Sequence, residues 1–361
     1  MSSLKIDSST NIAFYIHHQG AGHVMRAITI ASVLNGFRIC FLGSNLKPYL
    51  SQIPDEIQCI HLPLDVPIEN EHLYSNDALS YLHYAPLGVN GIRERTALLT
   101  GVFKDKYPIL LIVDVSVEIT LLARLCGIPS IVVMQHGNRN DLPHQQAYES
   151  AEILIAPFSQ ALGLSFEEDW INAKIVYTGG FSRYNSIATD QGSSEERQNI
   201  AVLIGKGGTS IDSGFIRLLS NACPDHTFHI IGSVSYEDDN FAHNIKFHGN
   251  VTDPKWVLDS CRVVIGNAGH NTVMEMADLN KRFICIPEER PFEEQQYKAA
   301  LLAKNGNAKV IQPANLRSTD WAEELVIAED HLPDWLGVTD AAALGNIANV
   351  IKETVERIFK R

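Results

Sequence analysis

Short apolar runs alternate with amphipathic stretches along most of this chain. Runs at 12–16, 37–42, 109–113, 130–134, 153–156 and 173–177, then at 201–204, 228–231, 245–247, 263–265 and 283–286, read as buried parallel strands. Apolar residues recur at helical spacing over 23–34, with Val24, Ile28, Ala31 and Leu34 on one side, and again over 119–126, 272–279 and from about 293. A long amphipathic stretch at 340–359 predicts a closing helix. Strands and helices in alternation predict an α/β fold with parallel sheets. The polar, Ser/Glu-rich run at 186–198 divides it, giving domains at 1–185 and 199–338, the linker between them, and a terminal helix at 339–361.

Three of the strand ends break into glycine turns that open helices: Gly20-Ala21-Gly22-His23, Gly205 to Ser210, and Gly266-Asn267-Ala268-Gly269. Such a turn presents free backbone N–H groups and the positive end of the helix dipole, which suits a phosphate. The first is not a dinucleotide fingerprint, because His23 and Arg26 stand where its last glycines would be. The second is not a Walker loop, because Lys206 precedes the pair Gly207-Gly208 instead of following it. It is a phosphate cradle built with Thr209 and Ser210, or a plain tight turn. After the third, Asn271 is positioned to cap the helix.

Several side chains beside these turns can do chemistry. His23, at a helix start, would be neutral and able to act as a base near pH 7, or it caps the helix. Arg26, one turn on, could pair with a phosphate or carboxylate, or form a surface salt bridge. Asp114, just past a strand's carboxyl end, could orient His23, deprotonate an acceptor hydroxyl, or cap the helix near Ser116. Glu275 could accept hydrogen bonds from both ribose hydroxyls, or be an ordinary solvated helix residue. The amides of the Glu294-Gln295-Gln296 run could meet sugar hydroxyls. The stretch 81–102, with Tyr81, Tyr84, Arg93 and Arg95, reads as a core helix with a solvated basic side, or an acceptor wall. His61, His72 and His83 lack metal-ligand spacing and read as surface or acceptor-side residues.

Gly269-His270-Asn271-Thr272-Val273-Met274-Glu275, followed by Pro291-Phe292-Glu293-Glu294-Gln295-Gln296, resembles the donor site of GT-B glycosyltransferases of the MurG and UDP-glycosyltransferase (family 28-like) type. The shared pattern is G-x-x-[ST]-x-x-E, then a loop ending in E/D-Q. The resemblance implies two Rossmann-like parallel-sheet domains facing an interdomain cleft, with the terminal helix crossing back to the first. It implies that Glu275 binds the donor ribose, that Glu294, Gln295 and Gln296 meet the donor sugar, and that Gly207, Gly208 and Thr209 contact the donor diphosphate or the acceptor. Gly249 and Val251, in Phe247-His248-Gly249-Asn250-Val251, would lie beside the base. On the acceptor side it implies Gly20, Gly22, Arg26, Gln135 and His136. Thr178-Gly179-Gly180-Phe181 is similar to the T-G-x-P segment that closes the first domain, with Phe181 in place of the usual proline. The first loop, G-x-G-H-V-x-R, also resembles UDP-sugar hydrolases of the PseG type, in which water is the acceptor and the loop histidine the base.

Composition narrows the partners. The 361 residues suffice for two domains, and 45% apolar with 20% charged residues is ordinary for a globular protein. A net charge of −13 argues against a nucleic-acid groove. Six cysteines without a C-x-x-C pair fit neither zinc nor a disulfide framework, and suit a reducing cytoplasm. No signal core or membrane-length apolar segment occurs. The expectation is an inverting, metal-independent transferase without cofactor, moving a hexose or N-acetylhexosamine from a UDP-sugar to a glycan, lipid-linked or small-molecule hydroxyl. A lipid-linked acceptor would bring peripheral membrane contact. The hydrolase and a non-catalytic nucleotide-sugar-binding subunit are the alternatives.

Overall fold

The computed structural model describes residues 10–18, 21–69, 71, 79–164, 166–185, 196–205, 207–234 and 242–360, apart from the side chains of 196 and 197. The chain divides into two compact units, one of residues up to Gln135 with Arg139–Gly179 and Ala342–Arg361, the other of His136–Asn138 and Gly180–Ala341.

In the first unit the order is β1 (Asn11–Ile16), α1 (Gly22–Ala31), β2 (Arg38–Gly43), β3 (Gln58–His61), α2 (Asn90–Asp105), β4 (Ile109–Asp114), α3 (Val117–Leu125), β5 (Ser130–Val133), α4 (Leu142–Ser150), β6 (Ile153–Ala156), α5 (Asp169–Lys174) and β7 (Ile175–Tyr177). Every residue of β1 and β4 is buried, which is why both read as unbroken apolar runs. The seven strands are parallel in the order β3-β2-β1-β4-β5-β6-β7. Strand order reverses between β1 and β4, where Ile16 pairs with Asp114. The loops after those two strands therefore open side by side, at the place where such sheets bind ligands.

The second unit repeats the plan with β8 (Glu196–Leu203), α6 (Ser213–Ala222), β9 (Thr227–Ile231), β10 (Ile245–Gly249), α7 (Lys255–Ser260), β11 (Cys261–Asn267), α8 (His270–Asp278), β12 (Arg282–Ile286), α9 (Glu294–Lys304), β13 (Lys309–Val310) and α10 (Trp321–Asp330). Its six parallel strands run β10-β9-β8-β11-β12-β13, so the reversal lies between β8 and β11. Gly207–Ser210 follows β8 and Gly269 follows β11, so both glycine turns flank this second reversal. Phe215, Phe228, Trp321 and the inner residues of β8 and β11 fill the core beneath it. The last helix, α11 (Ala343–Phe359), groups with the first unit.

Two expectations change. Residues 81–102 are not one helix: α2 begins at Asn90, and Tyr81 and Tyr84 are exposed ahead of it. Its arginine side is not wholly solvated, since Arg95 is buried, ion-paired to Asp65, and donates to the Tyr15 hydroxyl at 2.8 Å. Asn271 does not cap α8; the helix starts two residues earlier than its apolar pattern, with Gly269 at the cap and Asn271 in the first turn.

Candidate functional site

In the first unit, His23, Arg26 and Asp114 meet at the β1–β4 reversal. Arg26 grips Asp114 with Nη2 at 2.9 Å from Oδ1 and Nε at 3.1 Å from Oδ2. Both side chains are buried, so Arg26 is no surface residue. His23 Nδ1 lies 3.1 Å from Asp114 Oδ2 and 3.3 Å from Arg26 Nη2. Burial alone would raise the Asp114 pKa, but Arg26 and His23 hold it well below the usual carboxylate range. An ionised carboxylate only accepts, so a proton on Nδ1 of His23 is directed to it, and a neutral ring protonated there carries its lone pair on Nε2. Such an arrangement can present a base whose orientation a carboxylate fixes.

Asp114 is not a helix cap. Ser116 caps α3 itself, its hydroxyl accepting from the Ile119 N–H at 3.3 Å. Between them Val115 has φ +64°, a region that a β-branched residue rarely enters. Strain of that kind, of order 1–3 kcal/mol, persists where the surroundings fix it. Here it turns the chain so that Asp114 and Ser116 serve different partners. Gln135 completes the cluster, its Nε2 donating to Asp114 Oδ1 at 3.2 Å. Gly22 is the first residue of α1, and Gly20 lies outside the described residues.

In the second unit, Glu275 is not a solvated helix residue. It is largely buried, with Arg183 Nε 3.0 Å from Oε1 and Nη2 3.4 Å from Oε2. Burial raises the Glu275 pKa, with Arg183 pulling it the other way. Arg183 also donates to the Thr252 carbonyl at 2.6 Å and stacks over Tyr184, whose hydroxyl donates to Asp253 at 2.7 Å. His270, Asn271 and Thr272 form the first turn of α8.

The loop after β8 is occupied by a carboxylate. Glu288 Oε1 accepts from the Ser210 N–H at 2.6 Å, the Ser210 hydroxyl at 2.8 Å, Thr209 Oγ1 at 3.0 Å and Asn267 Nδ2 at 3.0 Å. Gln295 and Gln296 hold that carboxylate's backbone: Gln295 Oε1 accepts from the Glu288 N–H at 2.9 Å, and Gln296 Nε2 donates to its carbonyl at 2.8 Å. Ahead of α9, Phe292 and Glu293 are both left-handed, at φ +60° and +57°, and Glu294 is the first residue of the helix. Arg290 reaches back, donating Nη2 to the Gly208 carbonyl at 2.5 Å and Nη1 to the Glu289 carbonyl at 2.8 Å. A Cβ on Gly207 would stand 3.3 Å from the guanidinium, so the glycine lets it approach. Arg183, Glu288 and Arg290 were not singled out from the sequence.

Gly249, with φ +64°, ends β10, and Val251 follows it half-buried. His136 is fully buried, 6.3 Å from the Tyr297 ring. Among the described residues one group, His83, Asp141 and His144, brings metal-ligand atoms within 4.8 Å of one another. Arg139 Nη1 lies 3.1 Å from His144 Nε2, and a guanidinium only donates, so the His144 proton sits on Nδ1 toward Asp141. That group is a hydrogen-bonded chain.

Residues 175–333 match the family described as Glycosyltransferase family 28 C-terminal domain. The chain is a glycosyltransferase of the GT-B fold. A curated relative, the UDP-N-acetylglucosamine--N-acetylmuramyl-(pentapeptide) pyrophosphoryl-undecaprenol N-acetylglucosamine transferase of Caldicellulosiruptor saccharolyticus, is 26% identical over 332 residues, covering 82% of this chain and 83% of its own. MurG of Acinetobacter baumannii superposes with a TM-score of 0.57 at 16% identity, over 95% of this chain and 99% of that one. Arabidopsis thaliana UGT89C1 complexed with UDP-L-rhamnose superposes with a TM-score of 0.61 at 14% identity, over 96% and 94%. In this glycosyltransferase the matched region holds Glu275, Glu288 and the Gln295-Gln296 pair. No described helix is long and apolar enough to cross a membrane.

Proposed function

We propose that this glycosyltransferase moves a hexose or N-acetylhexosamine from a UDP-sugar to an acceptor hydroxyl, with inversion and without a metal. The supporting observation is the family match over residues 175–333, which contains both motifs that carry the donor-site resemblance. Glu275 receives the ribose hydroxyls, and the segment from Gly249 to Val251 lies beside the base. Backbone N–H groups at Gly269, His270 and Asn271, with the α8 dipole, face the diphosphate. Glu294, Gln295 and Gln296 border the sugar, the two glutamines through the Glu288 backbone they hold.

The chemistry is one displacement. His23 Nε2 takes the acceptor proton, the acceptor oxygen bonds to the anomeric carbon, and the bond to the diphosphate oxygen breaks with its electron pair leaving on UDP. Asp114 keeps the His23 ring oriented and stabilises the imidazolium as it forms. Arg26, fixed on Asp114, keeps that carboxylate ionised. Gly20, Gly22, Gln135 and His136 belong to the acceptor side. The acceptor is a glycan, lipid-linked or small-molecule hydroxyl, and a lipid-linked one would bring peripheral contact with a membrane. All six cysteines are free thiols, which suits the reducing cytoplasm we assign.

The test is UDP release from a panel of UDP-sugars, starting with UDP-N-acetylglucosamine because the curated relative's name carries it. Each donor is incubated alone and with cell lysate. Release only with lysate is expected. Release from donor and water alone would make the enzyme a hydrolase, as its G-x-G-H-V-x-R loop allows. Tight UDP binding with no release in either would leave a non-catalytic binding subunit.

A further inference from the structure

The Asp114 carboxylate is held from a third direction that the mechanism above does not use. Its Oδ1 accepts from Gln135 Nε2 at 3.2 Å. A glutamine amide can turn over, exchanging N–H for carbonyl, so something must choose which end Asp114 meets. Arg139 makes that choice. Its Nη2 lies 3.4 Å from Gln135 Oε1. With the amide reversed, its N–H groups would face a guanidinium that can only donate, and its oxygen would face an ionised carboxylate. Both contacts would be repulsive.

Arg139 is fixed in turn. His144 Nε2 accepts from its Nη1 at 3.1 Å, and the Nδ1–H of the same ring donates to Asp141 Oδ1 at 2.6 Å. Asp141 is anchored independently, because Oδ1 also accepts from the His144 backbone N–H at 3.0 Å as the cap of α4. Its Oδ2 faces His83 Nε2 at 2.9 Å. Asp114, Gln135, Arg139 and His144 are all buried, so these polar contacts act in a low-dielectric setting where each constrains the next.

We propose that Arg139 is a positioning residue for the His23–Asp114 pair, acting through Gln135 and held in place by His144 and Asp141. The role of His23 as base rests on the function proposed above; the coupling itself does not.

The coupling is read from the His23 imidazole nitrogens by NMR of the full chain labelled with ¹⁵N-histidine, with His23→Gln assigning the signals. The expected native result is a proton on Nδ1, shared with Asp114. Arg139→Leu and Gln135→Leu should move both ring-nitrogen signals in the same direction, and the double variant should move them no further than either alone. Once a donor and acceptor are in hand, Arg139→Leu should lower kcat about tenfold with the donor KM within about twofold. If Arg139→Leu does not fold, His144→Phe releases the same guanidinium and should shift the same signals. Unchanged His23 signals in a folded Arg139→Leu or His144→Phe protein, or additive shifts in the double variant, would overturn the proposal. A native protein that neither binds UDP nor turns over any donor would instead sink the transferase reading, while leaving the NMR coupling readable.

Discussion

Arg183 meets Glu275 with two nitrogens on two oxygens, Nε to Oε1 at 3.0 Å and Nη2 to Oε2 at 3.4 Å. The pair is mostly shielded from water, so removing one partner leaves the other charge buried and uncompensated. Glu275→Ala should therefore cost both stability and UDP binding, which confounds the two roles. Glu275→Gln also leaves Arg183 without its counter-charge, so the comparison of two nucleotides in that variant is what separates them. The amide keeps the volume but loses the charge and one of the two acceptor oxygens with which a carboxylate meets the two ribose hydroxyls in parallel. Calorimetry should show UDP affinity falling at least about tenfold, the loss of one charged hydrogen bond, with a smaller effect on 2′-deoxy-UDP. Equal losses for the two nucleotides would refute a ribose contact.

Glu288→Ala should be the more damaging change for the fold of the second unit. Its Oε1 satisfies the Ser210 N–H, two hydroxyls and the Asn267 amide, and alanine leaves all four donors in a largely buried place. Unpaired buried donors cost about 1–3 kcal/mol each, offset where water enters, so a net loss of ~2–4 kcal/mol is expected. Urea unfolding at neutral pH measures it. Glu288→Gln, which keeps an acceptor oxygen, should recover most of the loss; an alanine variant as stable as the native protein would contradict this arrangement.

What the sequence discloses and what it hides differ by range. The strands of both sheets follow from their continuous apolar runs, and the glycine turns fall where the strand order reverses because parallel strands carry their ligand loops at one end. The G-x-x-[ST]-x-x-E motif at 269–275 was legible because its residues are neighbours. Partners are not: Arg183 lies 92 positions from Glu275, and Glu288 lies 78 from Ser210. Nothing local to Glu275 distinguishes a clamped carboxylate from a solvated one. The misplaced cap at Asn271 has a local cause, since a glycine at the cap leaves no side-chain signal. Arg95 shows the converse, a basic residue read as solvated whose burial depends on Asp65 and Tyr15.

Arg290 should matter for the diphosphate and little for the fold. Thr209 and Ser210 are engaged by Glu288, and a half-buried guanidinium, that of Arg290, is bonded to the backbone carbonyls of Gly208 and Glu289 beside the Gly207-Gly208 turn. Losing a charge-assisted contact to phosphate is worth about 1.5–3 kcal/mol. Arg290→Ala should weaken UDP binding by roughly 10–100-fold at low salt, hardly change uridine binding, and shift thermal unfolding little. Titration of both ligands checks it, and parallel weakening of the two would refute a phosphate contact.

The first unit should lose stability on mild acidification through His144. Burial, reinforced by Arg139, lowers its pKa from 6.5 to about 4. A histidine buried neutral binds its proton more readily in the unfolded chain, so between those two values the unfolded state carries the excess proton and stability falls as pH falls. A shift of that size corresponds to ~3 kcal/mol for one group. Other groups titrate in the same range, and Glu275 in the second unit works in the opposite direction because its raised pKa favours the protonated fold. The native protein must therefore be compared with His144→Phe. The variant loses the contacts to Arg139 and Asp141 at every pH, which adds a constant offset, but it removes the titration. Urea unfolding at pH 7, 5.5 and 4.5 should show the native protein's advantage over the variant shrinking steadily as pH drops. An advantage independent of pH would mean that His144 is not held neutral in the fold.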